Sequence, residues 1–116
     1  METPIADFVR RYADSGMVRA HVPGHKGKPF LGCEALDITE IRGADSLYEA
    51  DGIIRRSESC AGELFGSGRT VYSTEGSSQC IRAMLYLALT CGNGSRTVVA
   101  ARNVHRAFVY AAALLD

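Results

Sequence analysis

Two short runs of this chain carry residues suited to chemistry. The first, Thr70-Val71-Tyr72-Ser73-Thr74-Glu75-Gly76-Ser77-Ser78, passes from a β-type stretch into a turn of small residues, and Ser77-Ser78 then open an apolar helix. The second, Arg102-Asn103-Val104-His105, follows one helix and one strand later. A helix start of the first kind gathers hydroxyls and backbone N–H groups that have no intrahelical acceptor. The helix dipole adds roughly half a positive charge at that end, so a phosphate ester is stabilised without any lysine. Phosphate-bearing ligands therefore head the list, with the planar imidazole of His105 available to stack on a ligand ring. Each residue also has a plainer reading. Gly76-Ser77-Ser78 is what an ordinary helix N-cap looks like, and a histidine satisfied by its neighbours needs no ligand.

The elements around these runs are legible from pattern. Thr3 can cap a first helix that has Pro4 in its first turn; its Ile5, Phe8, Val9 and Tyr12 form one stripe, and Gly16 ends it. Arg19 to Gly32 holds two prolines, three glycines, two histidines and both lysines, which forbids a regular element. Asp37 to Asp51 supports a single helical turn at most, and Asp37, Thr39 and Glu40 read as turn and cap residues. A helix is predicted over Ile53 to Phe65, stopped by Gly66 and Gly68. A strand at Arg69 to Ser73, a helix from Ser77 to about Thr90, a strand at Thr97 to Ala101 and a helix from about Val104 to Leu115 follow. That order makes a βαβ unit with parallel strands and a right-handed crossover. Both chemical runs fall at the carboxyl ends of its strands, where ligands of such sheets sit. Cys60, Cys80, Met84 and Leu87 read as core packing. Phe108 to Leu115 is apolar almost all round, and with only two predicted strands the chain is expected to be the start of a larger domain.

Composition excludes several classes. With 116 residues and 47% hydrophobic content, the chain has room for one modest core. Thirteen basic residues balance thirteen acidic ones, and no face forms a Lys/Arg stripe, so nucleic acid and anionic membrane are not expected partners. Cys33, Cys60, Cys80 and Cys91 stand far apart with no histidine at ligand spacing, so no metal site is expected and the thiols are read as reduced. No leader-like segment or run of about 20 apolar residues is present, which makes a soluble cytoplasmic protein the expectation. Asn93-Gly94-Ser95 fits a glycosylation sequon but reads as a helix-to-strand turn. Only Lys26 and Lys28 are lysine, while the other eleven basic residues are arginine.

Taken together, Arg19-Ala20-His21-Val22-Pro23-Gly24-His25-Lys26-Gly27, Asp37-Ile38-Thr39-Glu40, Glu75-Gly76-Ser77-Ser78 and Arg102-Asn103-Val104-His105 resemble the ornithine/lysine/arginine decarboxylases in order and spacing. These are pyridoxal-phosphate enzymes of the aspartate-aminotransferase fold (fold type I), and the resemblance covers nearly the whole chain. It implies an α/β architecture. Residues 1–51 would be an N-terminal helix and glycine-rich arm, and residues 52–116 the first βαβα units of the cofactor-binding large domain, incomplete here. It further implies that Gly76, Ser77 and Ser78 hold the phosphate of pyridoxal 5'-phosphate, while His105 stacks on the pyridine ring as the catalytic-site residue within this chain. The Arg19 to Lys26 arm resembles the family's segment near the active-site mouth and subunit interface. His21, His25 and Lys26 can equally serve to order that arm.

The resemblance has departures. His105-Arg106-Ala107 stands where the family often has His-Lys-Ser, which alters contacts behind the ring. The family's Schiff-base lysine, in a Ser-x-His-Lys string, and the aspartate that keeps the pyridine nitrogen protonated have no match in this sequence, and Lys26 lies in the arm instead. The expected function is thus the N-terminal part of a pyridoxal-phosphate-dependent decarboxylase of a basic amino acid (ornithine, lysine or arginine), expected to be inactive by itself because the Schiff-base lysine is missing, with a homodimer expected of the fold. Rival readings are another fold type I enzyme, an aminotransferase or lyase, and a non-catalytic segment that assembles with a partner chain. A generic nucleotide-binding βαβ unit ranks lower, because Gly-x-Gly-x-x-Gly and Gly-Lys-Ser/Thr patterns are lacking.

Overall fold

A computed structural model describes residues 2–92, 94 and 96–115. The sequon Asn93-Gly94-Ser95 lies mostly outside them. The chain divides into two compact units, Met1–Tyr72 and Ser73–Asp116. Among the described residues four α-helices are formed: α1 (Pro4–Asp14) and α2 (Ile53–Phe65) in the first unit, α3 (Gly76–Thr90) and α4 (Arg106–Leu114) in the second.

In the first unit α1 packs against α2 and against a short 3₁₀ turn at Glu34–Leu36. The stripe runs as its spacing predicts: Tyr12 is buried, Ile5, Phe8 and Val9 are half-buried, and the Phe8 and Tyr12 rings stack with centroids 6.4 Å apart. Thr3 does not accept a capping bond. Its hydroxyl and amide instead donate to the Asp7 carboxylate, at 2.9 and 3.3 Å, because a carboxylate one turn into the helix is the stronger acceptor and is favoured by the dipole. α2 has the predicted limits, and its end has a local cause. Gly66 adopts φ +64°, and the amides of Gly66 and Ser67 bond the carbonyls of Glu63 and Gly62 at 3.4 and 2.9 Å. This is the pattern of a Schellman stop.

At the other end of α2, Gly52 has no side chain to offer, and the cap comes from Asp45. One Asp45 oxygen accepts from the amides of Ser46 (2.8 Å) and Asp51 (3.3 Å), the other from Gly52 (2.8 Å) and Ile54 (3.0 Å). Burial pushes the Asp45 carboxyl upward, but the amides of Ser46, Gly52, Ile54 and Asp51 outweigh it and bring its pKa to about 2. Glu34 does similar work in the arm, accepting from Leu31 and, at 2.9 Å, from Gly32. Its pKa is held at about 2, chiefly by the Leu31 amide.

In the second unit α3 packs on α4 through Leu85, Ala107 and Ala111, all buried. This core is thin. Cys80, Met84 and Leu87, read from sequence as core, are exposed, and Cys60 is half-buried. The reason is geometric: α4 covers only the Leu85 side of α3. The two segments read as strands, 69–73 and 97–101, run as irregular chain, and no strand is formed among the described residues. The βαβα expectation is therefore unmet within these residues. Parallel pairing needs flanking strands and helices on both faces to bury its apolar runs, and Val99 stands 94% exposed.

Candidate functional site

The turn before α3 is shaped by three residues. Ser73 Oγ accepts from the Glu75 amide at 3.3 Å and donates to Gln79 Oε1, strapping the turn to the first turn of the helix. Gly76 then sits at φ +68°, and a methyl built on it would meet nothing within 4 Å. Only a residue without a Cβ adopts that backbone freely. It lets the chain reverse and enter the right-handed helix with Ser77. Ser77 is exposed and Ser78 half-buried, and neither hydroxyl has a hydrogen-bond partner among the described residues. No acidic residue lies in the first turn of α3, and Glu75 makes no capping bond. The helix start predicted as an anion cradle thus has free amides, free hydroxyls and open space.

His105 lies at the other candidate position, with a specific local role. It is the N-cap of α4, with extended backbone (φ −61°, ψ 142°), and its Nδ1 accepts from the Ala107 amide at 3.1 Å. The cap moves the helix start from the expected Val104 to Arg106. The ring lines a largely apolar cleft of about 380 Å³ with Ile81, Met84, Leu85, Ala88, Val104 and Phe108. Gly76, Ser77 and Ser78 are not among the residues lining that cleft. The two predicted site elements are therefore formed separately, and the structure does not join them in one cavity.

The arm is ordered by its own side chains. His21 Nδ1 faces the Val22 carbonyl and so carries the proton, which leaves Nε2 to accept from the Tyr12 hydroxyl at 2.7 Å. Arg19 lies 4.9 Å over the Tyr12 ring and donates to the carbonyls of Glu34 and Ala35 at 3.3 and 2.6 Å. His25 accepts at Nδ1 from the Gly27 amide (3.0 Å) and donates from Nε2 to Asp37 (3.2 Å), and Lys26 Nζ donates to the His21 carbonyl. These bonds match the arm-ordering reading of His21, His25 and Lys26. Sequence reasoning missed three carboxylates: Asp45, Glu34 and Glu58, the last 3% exposed and accepting from the Tyr72 amide at 2.8 Å. An acidic residue facing backbone amides leaves no periodic trace in the sequence. Among the described residues no group of His, Cys, Asp and Glu could hold a metal, and no helix is long and apolar enough to cross a membrane.

Residues 3–116 match the family model described as Orn/Lys/Arg decarboxylase, major domain. The chain belongs to the Orn/Lys/Arg decarboxylase family. It is 32% identical to proteins named arginine decarboxylase from Bacillus subtilis (strain 168) and from Halalkalibacterium halodurans, over 95% of this chain and 24% of each relative. A Bacillus cereus protein of the same name is 30% identical, over 95% of this chain and 25% of the relative. The chain thus spans about a quarter of the length of these decarboxylases. No solved structure matches it.

Proposed function

We propose that these residues are the N-terminal part of a pyridoxal-phosphate-dependent decarboxylase of a basic amino acid, with arginine the leading substrate because the family relatives bear that name. In this reading residues 52–116 begin the cofactor-binding domain, the complete protein is a cytoplasmic homo-oligomer, and its product is a polyamine precursor. The observation that carries it is the start of α3, where a left-handed glycine and two unpaired hydroxyls precede a helix free of acidic residues in its first turn. These features fit a phosphate ester. Gly76 gives the backbone room, the first amides and the Ser77 and Ser78 hydroxyls hold the oxygens, and His105 offers an exposed ring for stacking. The cofactor, when bound, supplies an electron sink for the pair left as CO₂ departs. The chain's own part is to anchor the phosphate and fix the plane of the ring. Without a Ser-x-His-Lys string the 116 residues are expected to be inactive alone.

The test is cofactor titration of the complete protein. Charge-assisted hydrogen bonds contribute about 1.5–3 kcal/mol each, so the double variant Ser77→Ala, Ser78→Ala should weaken pyridoxal-phosphate binding at least tenfold. Unchanged affinity would remove the cradle from the reading. A second reading, assembly with another polypeptide, is favoured by the bare apolar surface of the second unit, where Leu114 is 74% exposed and Val99 94%. Activity that appears only on adding a separate chain would select it.

A further inference from the structure

Glu58 is 3% exposed, and one of its carboxylate oxygens is accounted for by the Tyr72 amide at 2.8 Å. The other, Oε2, has no hydrogen-bond partner among the described residues, yet none of their side-chain nitrogens or oxygens is sealed from solvent without one. Oε2 therefore keeps an opening, and Glu58 lines a cleft of about 260 Å³ in the first unit, between α2 and the chain that follows it. The cleft is built locally. Arg55, Glu58 and Glu63 lie along one side of α2. After the stop at Gly66 the chain returns across Gly62, whose Cβ position is 3.5 Å from the Ser67 carbonyl oxygen and from Thr70 Oγ1. The Ser67 and Thr70 hydroxyls bond each other at 2.8 Å, and the Tyr72 bond to Glu58 pins the far end of the return. The wall facing α2 is thus the turn that carries Ser67, Arg69 and Thr70.

Four charges line this cleft, the carboxylates of Glu58 and Glu63 and the guanidinium groups of Arg55 and Arg69. None of them is in an ion pair among the described residues, although Arg55 and Glu58 stand at the three-residue helical spacing where such pairs close. Opposite charges that line one cleft without meeting leave room between them for a molecule bearing both signs. A nearly buried carboxylate with a single amide for a partner lacks a counter-charge, so Glu58 is the place for a cation. The guanidinium groups suit a carboxylate, which their fork can hold through two parallel bonds. Pockets for drug-sized ligands run from about 300 to 1,000 Å³, so a cleft of about 260 Å³ suits a smaller occupant. We propose that it binds a free amino acid with a cationic side chain: Glu58 takes the side-chain cation, Glu63 the α-ammonium, and Arg55 and Arg69 the carboxylate. Two carboxylates for two cations, and guanidinium for the one anion, match that class and no neutral amino acid. Gly76, Ser77, Ser78 and His105 do not line this cleft, so it is a binding site additional to the cofactor cradle and independent of it.

The test is calorimetric titration of the complete protein, prepared free of cofactor so that nothing is turned over, with arginine, its decarboxylated amine and leucine as probes. The amine lacks the carboxylate and leucine lacks the side-chain cation, so each should bind at this cleft at least tenfold more weakly than arginine. Glu58→Gln keeps an oxygen for the Tyr72 amide and removes the charge, and it should weaken arginine at least tenfold. Arg69→Ala should do the same, and because Arg69 is exposed and its side chain is unbonded among the described residues, this variant keeps the test open where Glu58→Gln fails to fold. Hydrogen exchange locates the site without any substitution: arginine should slow the Tyr72 amide, whose acceptor is Glu58. Arginine affinity and stoichiometry unaltered in both variants overturn the proposal. So does a loss seen only in the Ser77→Ala, Ser78→Ala variant, which would move arginine to the cradle.

Discussion

Replacing Gly76 with alanine separates the backbone demand of the cradle from its demand for space. Gly76 has φ +68° and no atom within 4 Å of the position a Cβ would take. The cost of the methyl is therefore conformational and not steric, about 1–2 kcal/mol for an L residue in the left-handed region. That corresponds to a factor of about 5–30 in an equilibrium constant. Gly66 is the natural control. It has φ +64°, open space around its Cβ, and a place at the end of α2, away from the cradle sequence.

Both substitutions should speed amide hydrogen exchange by about 5- to 30-fold in the helical turn they adjoin. In Gly76→Ala this means the first intrahelically bonded amides of α3, one turn beyond Gly76, and in Gly66→Ala those just before 66. Cofactor affinity of the complete protein should fall by a similar factor in Gly76→Ala and stay within twofold in Gly66→Ala, read by titration of cofactor absorbance. Exchange of the second-turn amides of α3 that is unchanged by Gly76→Ala would refute the left-handed turn as the resting conformation. An equal loss of affinity in both variants would refute the location of the cradle.

Acid should loosen the first unit through its two clamped carboxylates. Asp45 and Glu34 have folded pKa values of about 2, against ordinary values of 3.8 and 4.5. The folded state thus binds fewer protons than the unfolded one. Their contribution is full above about pH 4.5 and is lost as pH falls towards about 2. Asp45→Asn should remove much of that pH dependence from the exchange of the Gly52 and Ile54 amides, and an identical acid profile in the variant would count against the clamp. In the second unit, Leu85→Ala should destabilise by about 2 kcal/mol, the low end for leucine truncation, since the clefts beside Leu85 are already open to water. A urea midpoint unmoved by Leu85→Ala would show that α3 and α4 do not depend on this contact.

What the sequence revealed and what it hid follow the range of the forces involved. The limits of α2 were legible because its stop is local: Gly66 alone supplies the left-handed residue that the last carbonyls need. The start of α4 was misplaced by two residues because histidine seldom serves as a cap, and nothing in Val104-His105-Arg106 shows that the ring will turn back to the Ala107 amide. The cap of α2 was hidden for another reason, since its acceptor lies seven residues upstream of Gly52, beyond the reach of any window that looks for Ser, Thr, Asp or Asn at the helix edge.

The strands mark where a local reading stops. Arg69 to Ser73 and Thr97 to Ala101 have strand-like composition, yet a strand is defined by partners, and its free energy comes from pairing and from burial on both faces. A helix closes its hydrogen bonds within itself and survives with one covered face, as α3 does with Leu85 buried and Met84 61% exposed. The cradle obeys the same distinction. Gly76 sets the turn and Ser73 ties it to Gln79 within seven residues, so the proposed anion site needs only local bonds to form. In the proposed reading, bringing His105 to the same ligand is a tertiary matter that would require the sheet. It follows that phosphate binding, if tested by fragment length, should appear before ring stacking does, because the first depends on one turn and the second on a completed sheet.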